Sequence, residues 1–126
     1  MSGRTDLLNY FDRVLPSTWR VQRRDLPAKP ALTATTVAVL TEQVEVTDLL
    51  DPTVRTYTLT VLVIVPKQVD VDDDLDDALE EVLEALDLHD YLTWTTAERA
   101  VLDDTWPLYR ITAQLRARRV IPEEEP

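Results

Sequence analysis

Residues 55–86 read RTYTLTVLVIVPKQVDVDDDLDDALEEVLEAL. The periodicity changes halfway through this stretch. From Arg55 to Val65 side chains alternate: Tyr57, Leu59, Val61, Val63 and Val65 share one face, and Thr56, Thr58, Thr60, Leu62 and Ile64 the other. A period of two is that of a strand. The second face also turns apolar at Leu62 and Ile64, so the strand over 55–65 is expected to be central and covered there on both sides. Pro66 stops it. Beyond it, Leu75, Leu79, Val82, Leu83 and Leu86 recur at helical spacing and predict a helix over 73–88. Its first turns hold Asp72, Asp73, Asp74, Asp76 and Asp77, where the helix dipole favours negative charge.

The same acids offer a competing reading. Asp70, Asp72 and Asp74 alternate, and Glu81 is twelfth counting from Asp70, which is the ligand spacing of an EF-hand calcium loop. That loop needs glycine at its sixth position and a helix before it. Here the sixth position is Leu75, a member of the apolar stripe, and a strand precedes. The acid-capped amphipathic helix is therefore preferred. No metal and no other cofactor is expected.

Working outward, Leu7, Leu8, Phe11, Val14 and Leu15 follow Thr5-Asp6 at helical spacing, which predicts a helix over 6–15 ended by Pro16. Trp19 and Val21 alternate with Arg20 and Gln22, giving a strand over 18–24. Pro27 and Pro30 stiffen a loop at 26–31. Residues 33–46 form a Val/Thr-rich strand whose alternation changes phase near Thr41, as a bulge would cause. Asp48 to Pro52 turns the chain. Residues 92–102 alternate at Leu92 and Trp94, but Thr95 and Glu98 have capping-box spacing, so a short helix over 95–102 stays open. Strand is preferred there. A loop at 103–107 then leads into a strand over 108–118, with Tyr109, Ile111, Ala113, Leu115 and Ala117 inward and Arg110, Thr112, Gln114, Arg116 and Arg118 outward. Residues 119–126 are a solvated tail. The expected fold is one α+β domain over residues 1–126, in the order α-β-β-β-α-β-β: a mainly antiparallel or mixed sheet of about five strands packed by two helices. The first three strands can form a meander, and the acidic helix crosses from the third to the fourth.

Composition excludes several functions. The chain carries a net charge of −11, and the charge is uneven. Residues 1–66 hold seven acids and seven bases, whereas residues 67–126 hold seventeen acids and six bases. General DNA binding needs many phosphate neutralisers, which this balance does not supply. Gly3 is the one glycine, so Gly-rich phosphate loops are ruled out. There is no cysteine, and hence no disulfide framework or thiolate chemistry. Ser2 and Ser17 are the only serines, neither in a nucleophile turn. His89, the one histidine, is read as a helix C-terminal residue favoured by the dipole. The carboxylates lie on a polar helical face with no apolar pocket to raise one pKa. The chain is expected not to be an enzyme. No apolar run is long enough to span a bilayer, and the N-terminus lacks a signal pattern. The expected compartment is the cytoplasm, where the chain is made.

Charge segregation points to docking. Arg110, Arg116, Arg118 and Arg119 are candidates for a subunit interface. Asp73, Asp74, Asp76, Asp77, Glu80, Glu81 and Glu84 are candidates for a facing acidic surface, and head-to-tail contact between the two closes into a ring where the rotation permits. Long strands also leave edges that assembly can cover.

The stretches LPSTWRV at 15–21, YTLTVLVIVP at 57–66, LDDALEEVLEAL at 75–86, TWTTAERAVL at 93–102 and PLYRITAQLRAR at 107–118, in this element order, resemble the tail terminator proteins of long-tailed (siphovirus-type) bacteriophages, especially those infecting actinobacteria. The resemblance implies a virion protein at the head–tail junction, assembled in the host cytoplasm. It implies a homohexameric ring that caps the tail tube and meets the head–tail connector protein. DNA would pass through the lumen without specific binding, and no membrane would be involved. The acidic residues above would then line the lumen or face a partner. The alternatives are another head–tail connector or minor tail subunit, or, in a different class, a small acidic binding or inhibitor protein.

Overall fold

The computed structural model describes residues 3–23, 34–48, 51–66, 71–102 and 106–118. Two helices and five strands follow in the order α1 (Gly3–Val14), β1 (Arg20–Gln22), β2 (Thr36–Asp48), β3 (Asp51–Ile64), α2 (Val71–Asp87), β4 (Leu92–Leu102) and β5 (Trp106–Arg118). This is the expected α+β order. The strands form one mixed sheet, ordered β1-β2-β3-β5-β4, with β3 at its centre.

β3 is central because both its faces are apolar at one end. Leu59, Val61 and Val63 are fully buried on one face, and Ile64 is fully buried on the other. It pairs antiparallel with β2 and with β5. The β2 register shifts between Thr41 and Gln43, where the sequence alternation changes phase. The bulge puts Val44 opposite Tyr57, on the same side as the core. β2 and β3 pair as far as Asp48 and Asp51, within the stretch 48–52 expected to turn. Pro52 falls in the first residues of β3, where a missing ladder donor is tolerated.

β1 departs from the meander. It pairs parallel to β2 through three residues, Arg20 to Gln22 against Thr36 to Ala38. A parallel pair requires a crossover instead of a tight turn. β1 starts only at Arg20 because Pro16 to Trp19 forms a turn closed by the Trp19 amide on the Pro16 carbonyl (3.0 Å). β4 is a strand along its whole length, which removes the short-helix alternative at 95–102. It pairs with β5, and β5 separates it from β3. β5 begins at Trp106, earlier than the expected 108.

Both helices cover one face of the sheet. Leu7, Leu8 and Phe11 of α1 and Leu75, Val82 and Leu86 of α2 join Val37, Val39, Leu59, Val61, Val63, Ile111 and Leu115 in one core. Leu75, the sixth position of the calcium-loop reading, is completely buried, so the acids around it belong to a helix. The Tyr10 hydroxyl donates to the Ala85 carbonyl (2.6 Å) and ties α1 to α2. α1 begins at Gly3, before the expected Thr5-Asp6 start. A Cβ at Gly3 would lie 2.6 Å from Cγ of Tyr57, so only glycine lets the helix begin over that ring. Arg4 then reaches back, donating from Nε to the Val39 carbonyl (2.6 Å) and from Nη2 to the Arg23 carbonyl (2.9 Å). Pro16, without an N–H, ends α1 as expected. No helix among the described residues is long and apolar enough to cross a membrane.

Candidate assembly surfaces

Alternation divides the sheet into two unlike sides. The helix side is core, with the outer face of α2 beyond it. On that outer face Asp73, Asp76, Asp77, Glu80, Glu81 and Glu84 are exposed and Asp74 is half-buried. The acids nearest the sheet are used locally. The Tyr109 hydroxyl donates to Asp76 Oδ1 (3.0 Å), and Arg99 of β4 forms an ion pair with Asp72. The Asp76 hydrogen bond, followed by burial, raises the Tyr109 pKa, and the Asp72 hydrogen bond raises that of Arg99. The expected acidic surface is thus assembled on one helix, with Asp72 and Asp76 anchored to the sheet.

Among the described residues the other side of the sheet carries no helix. Arg110, Thr112, Gln114 and Arg116 point there, since their neighbours Ile111, Ala113 and Leu115 belong to the core. Arg110 and Arg116 are both exposed. The sequence groups four arginines. The structure places Arg110 and Arg116 on this same open side but at different ends of the β3–β5 ladder, while the side chain of Arg118 and all of Arg119 lie outside the described residues. So do the loop at 26–31, the hairpin tip at 103–105 and the tail at 119–126. The acidic helix does not lie against the arginines, because the sheet stands between them.

A cleft of about 400 Å³ opens on this side. Leu40, Leu62, Ala100, Val101 and Leu108 line it, together with Glu42 of β2 and Arg110 of β5. The Thr60 hydroxyl donates to Glu42 Oε2 (3.1 Å) and holds that carboxylate. Arg110 makes no ion pair among the described residues, although Glu98 stands across from it in the register. Sequence reasoning did not find this cleft. Its signal was the apolar Leu62 and Ile64 in phase with the threonines of β3, and Leu108 in phase with Arg110.

A third feature is the turn from α2 into β4. Leu88 is 72% and Tyr91 66% exposed, the highest values among the large apolar side chains of the described residues. The turn is nevertheless fixed. The Leu88 amide donates to the Glu84 carbonyl (3.1 Å) and the His89 amide to that of Leu86 (3.2 Å). The Tyr91 amide donates to His89 Nδ1 (3.1 Å), and the Tyr91 carbonyl accepts from the Arg116 amide (2.9 Å). The His89 ring meets Tyr10 edge-on, with centroids 4.7 Å apart. Burial lowers the His89 pKa; Asp90 opposes that shift and Arg13 adds to it. Arg13 also sits over the Tyr10 ring, 5.9 Å from its centroid.

Among the described residues the sheet's outer edges are open as well. Among the described strands none pairs with the far edge of β4, and β1 covers only Thr36 to Ala38 of β2. No protein-family model matches this chain, and no curated protein matches it closely enough to count as a relative.

Proposed function

We propose that this chain is a structural virion subunit, a ring-forming tail terminator that caps the tail tube of a long-tailed phage and joins it to the head connector. One observation carries the reading. Arg110 and Arg116 lie on one side of the sheet and the acidic helix on the other. An isologous contact through the helix side would bring acids together, whereas a head-to-tail contact sets them against Arg110 and Arg116. Head-to-tail contacts generate rings when the rotation closes. The borders of β2 and β4 that no described strand pairs are two long edges that assembly can cover. The resemblance in element order and in the stretches quoted above supports reading that ring as a tail terminator.

In this reading no covalent chemistry occurs. The subunit works by geometry: a ring seated on the last tube layer leaves no site for the next, and its far surface receives the connector. Those acids of α2 that the subunit contact leaves uncovered supply negative charge for the lumen, which repels passing DNA and prevents it from adhering. The test is tube length. Adding the purified chain to its phage's polymerising tail-tube protein is expected to arrest growth and leave caps on the tube ends in electron micrographs. Tubes that grow unchanged, together with capture of a basic partner by a monomer, would replace this reading with that of a small acidic binding protein.

A further inference from the structure

Two features have opposite shapes and opposite charge order. The α2–β4 turn is a protruding apolar knob, Leu88 and Tyr91, with Asp90 on it and Arg13 beside it. The cleft on the open side is a largely apolar hollow with Arg110 of β5 and Glu42 of β2 in its lining. We infer that the knob of one copy seats in the cleft of the next, with Asp90 facing Arg110 and Arg13 facing Glu42. This contact rests on the ring reading and names the surfaces that make it.

Four observations support this occupant. First, the two surfaces cannot meet within one chain. The knob lies on the helix side, held by Tyr10 of α1, and the cleft lies on the side without helices. Along β4 the knob adjoins Leu92 and the cleft reaches Ala100, roughly 25 Å apart at the rise of a strand. Second, the charges match at two points and not one. Exchanging the orientation would set Asp90 against Glu42 and Arg13 against Arg110, so the pattern also fixes the direction of entry. Neither Arg13 nor Arg110 has an ion-pair partner among the described residues. Third, the knob is preorganised. Its amides and His89 are already bonded, so little ordering cost remains on docking. Fourth, Tyr91 is an exposed aromatic of the kind enriched among interface anchors, and Leu88 beside it adds apolar area. The contact is heterologous by construction, because a knob on one side of the sheet meets a hollow on the other.

The test uses the full chain and its native mass. The wild type is expected as a multi-subunit assembly, alone or on tube ends. Leu88→Ser combined with Tyr91→Ser is expected to raise the concentration needed for assembly at least tenfold while leaving the melting temperature of the monomer unchanged, since both side chains are exposed. Asp90→Arg and Arg110→Glu are each expected to weaken assembly, and the two together to restore it. Because the chain has no cysteine, a second readout is clean: mixing a Leu40→Cys chain with a Leu88→Cys chain under mild oxidation should give mainly the mixed disulfide dimer. Variants that assemble like the wild type, a charge double that stays dissociated, or a mixture that yields only like-with-like dimers would overturn the contact and leave the ring reading standing. A wild type that stays monomeric with and without tubes would overturn both.

Discussion

Replacing Gly3 with alanine sets two effects against each other. Alanine is a better helix former than glycine by up to about 1 kcal/mol in a helix interior, and by less at a first residue such as this one. Against that gain stands the Tyr57 ring. The new Cβ would lie 2.6 Å from Cγ, 2.7 Å from Cδ2 and 3.0 Å from Cδ1. Favourable carbon–carbon contact begins at about 3.5 Å, so the overlap is on the order of 1 Å. Tyr57 is 7% exposed and sits on β3 between β2 and β5, so the ring has little room to retreat. Overpacking of this kind costs about 1–3 kcal/mol, which leaves a net loss of about 1–2 kcal/mol. For a domain of this size that is a drop in melting temperature of roughly 3–8 °C. Thermal melts followed by circular dichroism of Gly3→Ala, Tyr57→Ala and the double variant measure it. Tyr57→Ala removes Cγ and both Cδ atoms that the new Cβ would meet, so in that background Gly3→Ala should cost nothing or stabilise, and the difference between backgrounds is the coupling. A Gly3→Ala chain that melts at or above the wild type, or one that loses the same amount in both backgrounds, refutes the packing argument.

Three further outcomes are expected. Phe11 is fully buried between the helices and the sheet, and Phe11→Ala should cost about 3–5 kcal/mol in urea unfolding, against no measurable change for a polar replacement of exposed Val14. Burial holds the His89 pKa below its ordinary value, so the folded chain binds that proton less tightly than the unfolded chain does. This contribution to stability is complete above about pH 6.5 and is lost as pH falls from there through the lower folded value; melting temperatures at pH 7.5 and pH 5 should therefore differ less in His89→Gln than in the wild type. Changing Asp73, Asp74, Asp76 and Asp77 to asparagine should slow DNA ejection from assembled phage, and unchanged ejection kinetics would remove the acidic-lumen idea.

Much of the fold could be read directly because its strongest elements have unbroken periods. β3 and β5 alternate without interruption, and α2 keeps its apolar stripe through a run of acids. The bulge near Thr41 showed as a change of phase. What was hidden depends on contacts between distant residues. The parallel pairing of β1 leaves no mark in three residues, Arg20 to Gln22. The start of α1 is set by Tyr57, more than fifty positions away, so the capping pattern at Thr5 misplaced it. The arginines and acids were both visible as candidates, but the sheet that separates them was not. Leu88 and Tyr91 looked like ordinary helix-end and strand-start residues, because exposure of an apolar side chain is a property of the folded surface.

The central claim is that this chain assembles head to tail into a closed ring. Native mass spectrometry of the purified chain, with and without its own phage's tail-tube protein, tests it most directly. A single closed species of six subunits, formed in solution or on addition of tubes, is the result the account predicts. A monomer or two-fold dimer that persists in the presence of tubes would contradict it.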